Sequence, residues 1–207
     1  MKKSNLLIIF AKPPIAGKAK TRLIPALGAE GAASLHQKLL HFTLDNLISP
    51  RGWDTQLSCA SNREHPFFQT CLEGYDITLT SQIEGDLGEK MFHAIDQGLL
   101  AYDNVIVVGS DCPALNKEDI QNSFNQLASG LDIVITPAED GGYVLVGARQ
   151  KIDKDVFNCI EWGSDTVLDE TLKRVSDKNL TVNLQPMLWD VDVPDDLFRL
   201  EKENIRL

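Results

Sequence analysis

A chain of 207 residues, 43% of them apolar, is long enough to form one α/β domain with a full hydrophobic core. Its formal net charge of −10 argues against a broad nucleic-acid-binding surface, and every apolar run is shorter than the roughly 18 residues of a membrane-spanning helix. The apolar run near the amino terminus is too short for a signal peptide and leads into charged residues, so we expect a cytoplasmic protein.

Apolar residues alternate along the chain between two kinds of pattern. Short continuous apolar runs predict strands at 6–10, 55–60, 77–79, 105–108, 132–136, 143–148, 180–184 and 188–191. Apolar residues at helical spacing predict helices at 30–48, 87–100, 117–128, 164–175 and 194–203. Because strands and helices alternate without a repeat or a linker, we predict a single α/β domain over residues 1–207, with a doubly wound, mostly parallel sheet.

The most informative segment, residues 10–25, follows the first predicted strand. It contains two consecutive prolines, Gly17 and four cations, which are Lys12, Lys18, Lys20 and Arg22. Cations crowded at the carboxyl end of a strand repel one another, and a di- or triphosphate bound there would relieve that repulsion. We interpret the segment as a phosphate-binding loop, with a solvated basic turn as the alternative. It matches neither G-x-x-x-x-G-K-[ST] nor G-x-G-x-x-G.

An acidic residue, Asp111, lies three positions beyond the predicted strand 105–108. This position places it at the carboxyl edge of the sheet, facing the same crevice as the basic loop. Because Mg²⁺ prefers one or two carboxylates together with water and phosphate oxygens, Asp111 is a candidate metal ligand. The alternative is that Asp111 caps the helix that follows Pro113.

Two glycine-containing turns are further candidates for ligand contact. In residues 82–91, Gly85 and Gly88 would let the backbone approach a ligand, although Gly85 and Asp86 together could simply form a turn and a helix cap.

In residues 137–143, Asp140 offers a carboxylate, and Gly141 and Gly142 would also permit close approach. The alternative is a hairpin turn, for which Asp-Gly is a strong signal.

The four cysteines are widely spaced and form no C-x-x-C pair; they are Cys59, Cys71, Cys112 and Cys159. We expect reduced thiols in the core, because neither a zinc site nor a disulfide framework fits this spacing. Cys112 follows Asp111 directly, but no histidine lies near it in the sequence, so we do not expect a nucleophile there.

Residues 10–23 match the pattern F-A-K-x-P-x-x-G-x-x-K-T-R-L without a break. The chain thereby resembles the GT-A superfamily of nucleotide-diphospho-sugar transferases, and within it a bacterial glycosyltransferase-like family once grouped as a domain of unknown function. A similar A-K-T-R-L run occurs in the related guanylyltransferase that activates 2-phospholactate. The resemblance extends from Asn5 to about Leu197 and implies the GT-A fold and a transferase activity.

The resemblance also implies roles for individual residues. It implies nucleotide binding by Ala11, Lys12, Gly17, Lys20, Arg22, Gln82, Gly85 and Asp86. It implies catalytic roles for Lys20, Arg22, Asp111 and Asp140. Contact with the acceptor is implied for Gly141, Gly142, Tyr143 and Trp162. A tryptophan at a helix start is otherwise more often part of the core edge.

The segment Asp190-Val-Asp-Val-Pro-Asp-Asp-Leu resembles the family ending D-V-D-T-P-E-D-L, with Val193 in place of threonine. The resemblance implies that Asp192 joins Asp111 in binding Mg²⁺ or Mn²⁺. The alternative is a solvated helix start, where negative charge is favourable.

Three functions fit these motifs. The resemblance favours transfer of a glycosyl group from a nucleotide sugar to a small-molecule acceptor. The multi-cation loop and the single aspartate of the G-S-D-C-P-x-L segment instead favour transfer of a nucleoside monophosphate from a triphosphate to a phosphorylated acceptor. A non-catalytic nucleotide-binding protein is the third interpretation. The base, the acceptor and the oligomeric state are left open by the sequence.

Overall fold

The computed structural model describes residues 3–205 and 207. Its strands are β1 (Lys3–Ala11), β2 (Asp54–Cys59), β3 (Thr78–Ser81), β4 (Tyr102–Val108), β5 (Ile133–Pro137), β6 (Tyr143–Ala148) and β7 (Val182–Leu184). They form one seven-stranded sheet in the order β3-β2-β1-β4-β6-β5-β7. Neighbouring strands are parallel except around β6, which is antiparallel to both β4 and β5.

The helices are α1 (Ile24–Leu47), α2 (Pro66–Gly74), α3 (Leu87–Ala101), α4 (Lys117–Ala128), α5 (Val167–Asp177) and α6 (Pro194–Lys202). Short 3₁₀ helices lie at Thr21–Leu23 and Lys154–Val156. Side chains of β1 alternate between two core clusters: Leu7 and Ile9 pack with α1, α2 and α4, whereas Leu6 and Ile8 pack with α3 and α5. Helices therefore cover both faces of the sheet, which confirms the predicted doubly wound, mostly parallel α/β architecture.

Most predicted elements are present, and the exceptions have physical reasons. Helix α2 was not predicted, because the amphipathic pattern of its nine residues is weak. The predicted strand at 188–191 is wrong, since only Leu188 pairs, through an isolated bridge to Ala138. Trp189 and Val191 are apolar because they pack in a third core cluster with residues of α1 and α6.

The topology brings several loops to one edge of the sheet. The carboxyl ends of β1 to β5 and β7 meet there, together with the amino end of β6, because β6 runs in the opposite direction. The loops after β1 and β4, the β5–β6 turn and the segment after β7 therefore share this edge, which is where open α/β sheets bind ligands.

The cysteine prediction is confirmed for three positions and wrong for one. Cys59, Cys71 and Cys112 are buried free thiols, whereas Cys159 is exposed. Burial raises the pKa of Cys112 to about 12, so its nucleophilic thiolate form is scarce at neutral pH. Within residues 3–205 and 207, none of the helices combines the length and the apolar character needed to cross a membrane.

Candidate active site

The basic loop after β1 is compact and internally hydrogen-bonded. The carbonyl of Ile15 accepts hydrogen bonds from the backbone N–H groups of Lys18, at 3.0 Å, and Ala19, at 3.1 Å. Gly17 has a φ of 78°, a left-handed conformation that favours glycine. The carbonyl of Ala11 accepts a 2.8 Å hydrogen bond from the N–H of Ala60, so this predicted nucleotide-binding residue joins the loops after β1 and β2.

Lys20 joins the basic loop to the acidic segments. Its ammonium lies 2.7 Å from Oδ2 of Asp111 and 3.9 Å from Oδ1 of Asp192, and its side chain is only 7% exposed. Its backbone is left-handed, with φ 46° and ψ 49°, a conformation that costs a non-glycine residue roughly 1 kcal/mol or more. Nη1 of Arg22 lies 2.6 Å from Oδ2 of Asp192. The structure thus brings together the four predicted residues Lys20, Arg22, Asp111 and Asp192.

Asp111 does not cap a helix. The cap of α4 is Asn116, whose side chain accepts hydrogen bonds from the N–H groups of Glu118 and Asp119, so the helix-cap alternative is wrong. Partial burial by itself would raise the pKa of Asp111, but Lys20 outweighs it and holds the pKa below the ordinary carboxyl value. Asp111 is therefore ionised at neutral pH.

The backbone around Asp111 is adapted to its side chain. A Cβ added at Gly109 would lie 2.8 Å from Oδ1 of Asp111, closer than such contacts normally come. The backbone carbonyl of Asp111 accepts a 2.9 Å hydrogen bond from the N–H of Val191. This bond holds the loop after β4 against the segment that carries Asp192. A carboxylate of Asp196 accepts hydrogen bonds from the N–H groups of Asp192 and Val193, at 2.8 and 2.7 Å, and so holds that segment at the start of α6.

Asp190 is a site residue that the sequence analysis missed. Burial and the charges of Asp111, Asp140 and Asp192 raise its pKa to about 7, against the opposing effect of Lys20. The Asp190 carboxyl therefore titrates near neutral pH. The sequence already shows Asp190 beside the predicted metal ligand Asp192, separated from it by one valine. That Asp190 also lies near Asp111 and Asp140 depends on the fold.

The acids at this edge suit a hard divalent cation. Asp111 and Asp192 both lie within 3.9 Å of one cationic nitrogen, Lys20 Nζ, so a cation already occupies the space between them. In the described part of the chain, no three His, Cys, Asp or Glu side chains are arranged as a complete metal cage. Mg²⁺ does not need one, because it commonly takes one or two carboxylates and completes its shell with water and substrate phosphates. The donor set therefore fits Mg²⁺ or Mn²⁺ bound together with a phosphate-bearing ligand.

His36, on α1, holds the basic loop in place through a hydrogen bond. Its Nε2 lies 2.9 Å from the carbonyl oxygen of Lys12, and the residue is buried. Burial lowers the pKa of His36, so the ring is neutral at neutral pH and Nε2 carries the hydrogen that it donates. The sequence analysis missed this residue because a histidine on an apolar helix face gives no local signal of its partner.

Gln82 lies in a cleft beside the basic loop. Its Nε2 donates to the carbonyl of Ser58 at 3.0 Å, and its backbone N–H donates to the carbonyl of Cys59 at 2.9 Å. The cleft has a volume of about 340 Å³ and a wall with five charged or amide side chains, which are Lys12, Lys18, Gln82, Glu84 and Lys90. The structure thus places predicted nucleotide-binding residues from both segments in one cleft of ligand-binding size.

Gly85 and Asp86 form a turn and a helix cap, as the alternative interpretation held. Oδ1 of Asp86 accepts from the N–H of Glu89 at 2.8 Å, and Oε2 of Glu89 accepts from the N–H of Asp86 at 3.0 Å. Gly85 has a φ of 133°, and a Cβ there would collide with the Glu89 carboxylate. A nucleotide-binding role for the pair stays a prediction.

The segment 138–142 is the hairpin turn between β5 and β6, so this alternative is also confirmed. Oδ1 of Asp140 accepts from the N–H of Gly142 at 2.9 Å. Gly141 has a φ of 89°, and a Cβ there would collide with the backbone of Asp165. Gly141 thus permits a close approach between its own backbone and that of Asp165. Contact of this turn with an acceptor stays a prediction.

Tyr143 and Trp162 pack against each other. Their rings form an edge-to-face pair with centroids 6.3 Å apart, and a Cβ added at Gly88 would lie 2.7 Å from Cζ2 of Trp162. Both rings border the core cluster that α3 covers, which supports the core-edge interpretation of Trp162. Contact of these rings with an acceptor stays a prediction.

Comparison with known proteins gives three results. The family model described as "Uncharacterized protein conserved in bacteria (DUF2064)" matches residues 43–164. The 2-phospho-L-lactate guanylyltransferase of Methanothermobacter thermautotrophicus is 32% identical over 124 residues, which are 60% of this chain and 53% of that protein. The chain thus spans about half the length of this curated relative.

Solved structures give the third result. A Desulfovibrio desulfuricans G20 protein provisionally assigned as a nucleotide-diphospho-sugar transferase is 32% identical, with a TM-score of 0.89 over 99% of this chain and 89% of its own. The 4-diphosphocytidyl-2C-methyl-D-erythritol synthase of Anaerococcus prevotii is 15% identical, with a TM-score of 0.65 over 99% and 97% of the two chains. These likenesses confirm the predicted GT-A-type fold. The match over residues 43–164 covers more than half of the chain, which therefore belongs to the DUF2064 family.

Proposed function

We propose that the protein is a metal-dependent nucleotidyltransferase, which moves a nucleoside monophosphate from a nucleoside triphosphate to a phosphorylated small molecule. The observation that carries this proposal is the convergence of three chain segments on Lys20. The basic loop supplies cations for a polyphosphate, and the segments of Asp111 and Asp192 supply carboxylates for a divalent cation. A phosphate-bearing ligand and a cation are therefore complementary to the two halves of the site.

The reaction follows from the charges around this point. The basic loop, with Lys12, Lys18, Lys20 and Arg22, binds and orients the triphosphate. A phosphate oxygen of the acceptor attacks the α-phosphorus, the bond from that phosphorus to the bridging oxygen breaks, and pyrophosphate leaves with the bonding electrons. Lys20 and Arg22 offset the negative charge that grows on the pyrophosphate. Asp111 and Asp192 would hold Mg²⁺ or Mn²⁺, which stabilises charge on the reacting phosphate oxygens.

Two comparisons support nucleotidyl transfer over glycosyl transfer. The relative from Methanothermobacter thermautotrophicus is a guanylyltransferase, and the Anaerococcus prevotii protein of the same fold is a diphosphocytidyl-methylerythritol synthase. Four cations in one loop also suit a triphosphate better than the diphosphate of a nucleotide sugar. This ranking reverses the order that the sequence resemblance favours.

Glycosyl transfer is the second candidate, supported by one observation. The Desulfovibrio desulfuricans protein, similar over 99% of this chain, is assigned to the nucleotide-diphospho-sugar transferases. A non-catalytic nucleotide-binding protein is the weakest of the three candidates, because binding alone does not require two carboxylates beside the phosphate-binding cations.

The test is a matched pair of product assays. The protein is incubated with Mg²⁺, each of the four nucleoside triphosphates and a panel of phosphorylated small acids and alcohols that includes 2-phospho-L-lactate, and pyrophosphate release is measured. In parallel, nucleotide sugars replace the triphosphates, and release of nucleoside diphosphate is measured. We expect acceptor-dependent pyrophosphate release. Release of nucleoside diphosphate from a nucleotide sugar, without any pyrophosphate release, would contradict nucleotidyl transfer.

A further inference from the structure

The cleft beside the basic loop contains an acidic residue, Glu84, that the phosphate-binding function does not explain. Three lysines and Glu84 line the same cleft, and Pro13, Ile15 and Ile83 add apolar surface. Among the described residues, none of these four charged side chains takes part in an ion pair or a side-chain hydrogen bond. A cleft with apolar walls and uncommitted charges of both signs suits a flat heterocycle with hydrogen-bond donors and acceptors on its edge.

The loop that carries Glu84 is fixed at both ends. Gln82, two residues before it, is held to the carboxyl end of β2 by the hydrogen bonds to Ser58 and Cys59, at 3.0 and 2.9 Å. Asp86, two residues after it, is fixed by the reciprocal hydrogen bonds with Glu89 at the start of α3. The Glu84 carboxylate is therefore presented from a short anchored loop, as a residue that determines specificity requires.

The two segments that line the cleft differ in net charge, because the basic loop contributes two lysines whereas Glu84 and Lys90 offset each other after β3, and this difference gives a bound nucleotide a direction. Lys12 and Lys18 belong to the basic loop, which leads to Lys20 and Arg22, whereas Glu84 lies in the loop after β3. A carboxylate repels phosphates, so the triphosphate belongs at the Lys20 end and the base at the Glu84 end.

We infer that this cleft selects guanine and that Glu84 determines the choice, an inference that rests on the proposed function. Guanine presents two adjacent donors, N1–H and the 2-amino group, which match the two oxygens of one carboxylate. Its O6 and N7 are acceptors that suit a lysine ammonium. Cytosine and adenine place a ring-nitrogen acceptor beside their amino group, and uracil places carbonyl oxygens on both sides of its N–H, so a carboxylate disfavours all three.

The test compares nucleotides that differ at the edge that Glu84 would contact. Calorimetric titration at fixed salt and Mg²⁺ gives the Kd values of GTP, CTP and inosine triphosphate, which lacks the 2-amino group. The parent should bind GTP about 5- to 150-fold more tightly than inosine triphosphate, the discrimination that one good bidentate base contact provides. In Glu84→Gln this ratio should fall to within about 3-fold. Glu73→Gln changes an exposed glutamate of α2 outside the cleft and should keep the parental ratio.

Two outcomes would overturn the inference while leaving the proposed function intact. In one, the parent binds GTP, inosine triphosphate and CTP with equal affinity. In the other, Glu84→Gln keeps the full preference for GTP. If the folded parent, identified by its melting transition, binds none of the three triphosphates, both this inference and the proposed function fail.

Discussion

The two sides of the candidate site carry opposite charge. On the side built by β1, β2 and β3, three lysines line a cleft. On the side built by β4 to β7, burial together with the charges of neighbouring acids raises the pKa of Asp190 to about 7. The sides meet at Lys20, which lies between Asp111 and Asp192. In a chain of net charge −10, such a separation favours a ligand that is a polyanion on one side and brings a cation to the other.

The ion pairs Lys20–Asp111 and Arg22–Asp192 differ in burial, and we therefore assign different roles to Lys20 and Arg22. The Lys20 side chain is 7% exposed, whereas that of Arg22 is 65% exposed. An exposed pair such as Arg22–Asp192 contributes only about 0–1 kcal/mol, so Arg22 can exchange Asp192 for a phosphate at little cost. Lys20 instead forms a largely buried ion pair with Asp111, and it also contributes its positive charge to the candidate site.

The largest expected effect comes from the acidic side. Asp111→Asn keeps the size of the side chain but removes the charge that a divalent cation needs, and we expect pyrophosphate release to fall by about 10²–10³-fold, the scale of losing one charge-stabilising group. Asp103→Asn, an exposed change at the amino end of β4, is the matched control and should behave as the parent. Parental turnover in Asp111→Asn would rule out an essential role for the Asp111 carboxylate.

The basic side should show a smaller effect, on binding. Arg22→Ala should weaken nucleoside triphosphate affinity by roughly 1.5–3 kcal/mol, the range for a charge-assisted hydrogen bond, while the melting temperature stays within about 2 °C of the parent. Calorimetric titration gives the affinity and thermal denaturation the stability. Arg51→Ala, before β2 at the opposite edge, is the control. Unchanged affinity with a lowered melting temperature would make Arg22 a structural residue.

Asp190 links the charge density of the acidic side to stability. Its folded pKa of about 7 lies above the ordinary value of 3.8, so the folded state binds more protons between these values. Its ionisation therefore destabilises the fold as pH rises through this window, and the penalty is complete above it. We expect Asp190→Asn to gain about 1–2 kcal/mol of unfolding free energy near pH 8, less than the ~4 kcal/mol of an unscreened three-unit shift.

Urea unfolding at several pH values tests this expectation. The stability gain of Asp190→Asn should shrink below pH 7 and vanish near the ordinary carboxyl pKa of about 4, while Asp103→Asn shows no such trend. A gain that is independent of pH would mean that charge repulsion at Asp190 is not its cause.

The smallest effect is expected at the edge of the basic side. The hydrogen bond from the Glu89 N–H accounts for Asp86 as a helix cap. Because asparagine caps nearly as well as aspartate, Asp86→Asn should change stability by less than about 0.5 kcal/mol, whereas Asp86→Ala should cost about 1 kcal/mol. We expect Asp86→Asn, which keeps this cap and with it the anchor of the Glu84 loop, to leave triphosphate affinity unchanged. A lower affinity in Asp86→Asn at parental stability would assign the carboxylate to the nucleotide site.

Much of the site could be predicted because it depends on where strands end. Lys20 follows β1 and Asp111 follows β4, and the carboxyl ends of parallel strands share one edge, so their proximity follows from the strand pattern. The sequence also indicates the antiparallel direction of β6, since Asp140-Gly-Gly is a hairpin signal.

The remaining features depend on tertiary packing, which local patterns do not encode. The pairing of His36 with the Lys12 carbonyl joins residues 24 positions apart. The raised pKa of Asp190 depends on its burial and on the charges of Asp111 and Asp140, which the fold brings in from other segments. Trp162 belongs to a substrate motif by resemblance, yet its ring packs against Tyr143 at the core edge.

The central claim is that a divalent cation and a nucleoside triphosphate share the meeting point around Lys20. Electron paramagnetic resonance of Mn²⁺, titrated with protein in the presence and absence of GTP, measures this directly. In the presence of GTP, the parent and Asp103→Asn should bind Mn²⁺ more tightly than free GTP binds Mn²⁺ in the absence of protein. Asp111→Asn and Asp192→Asn should lose that gain while still binding GTP without metal. If Asp111→Asn binds Mn²⁺ and GTP as the parent does, the account of the acidic side is wrong.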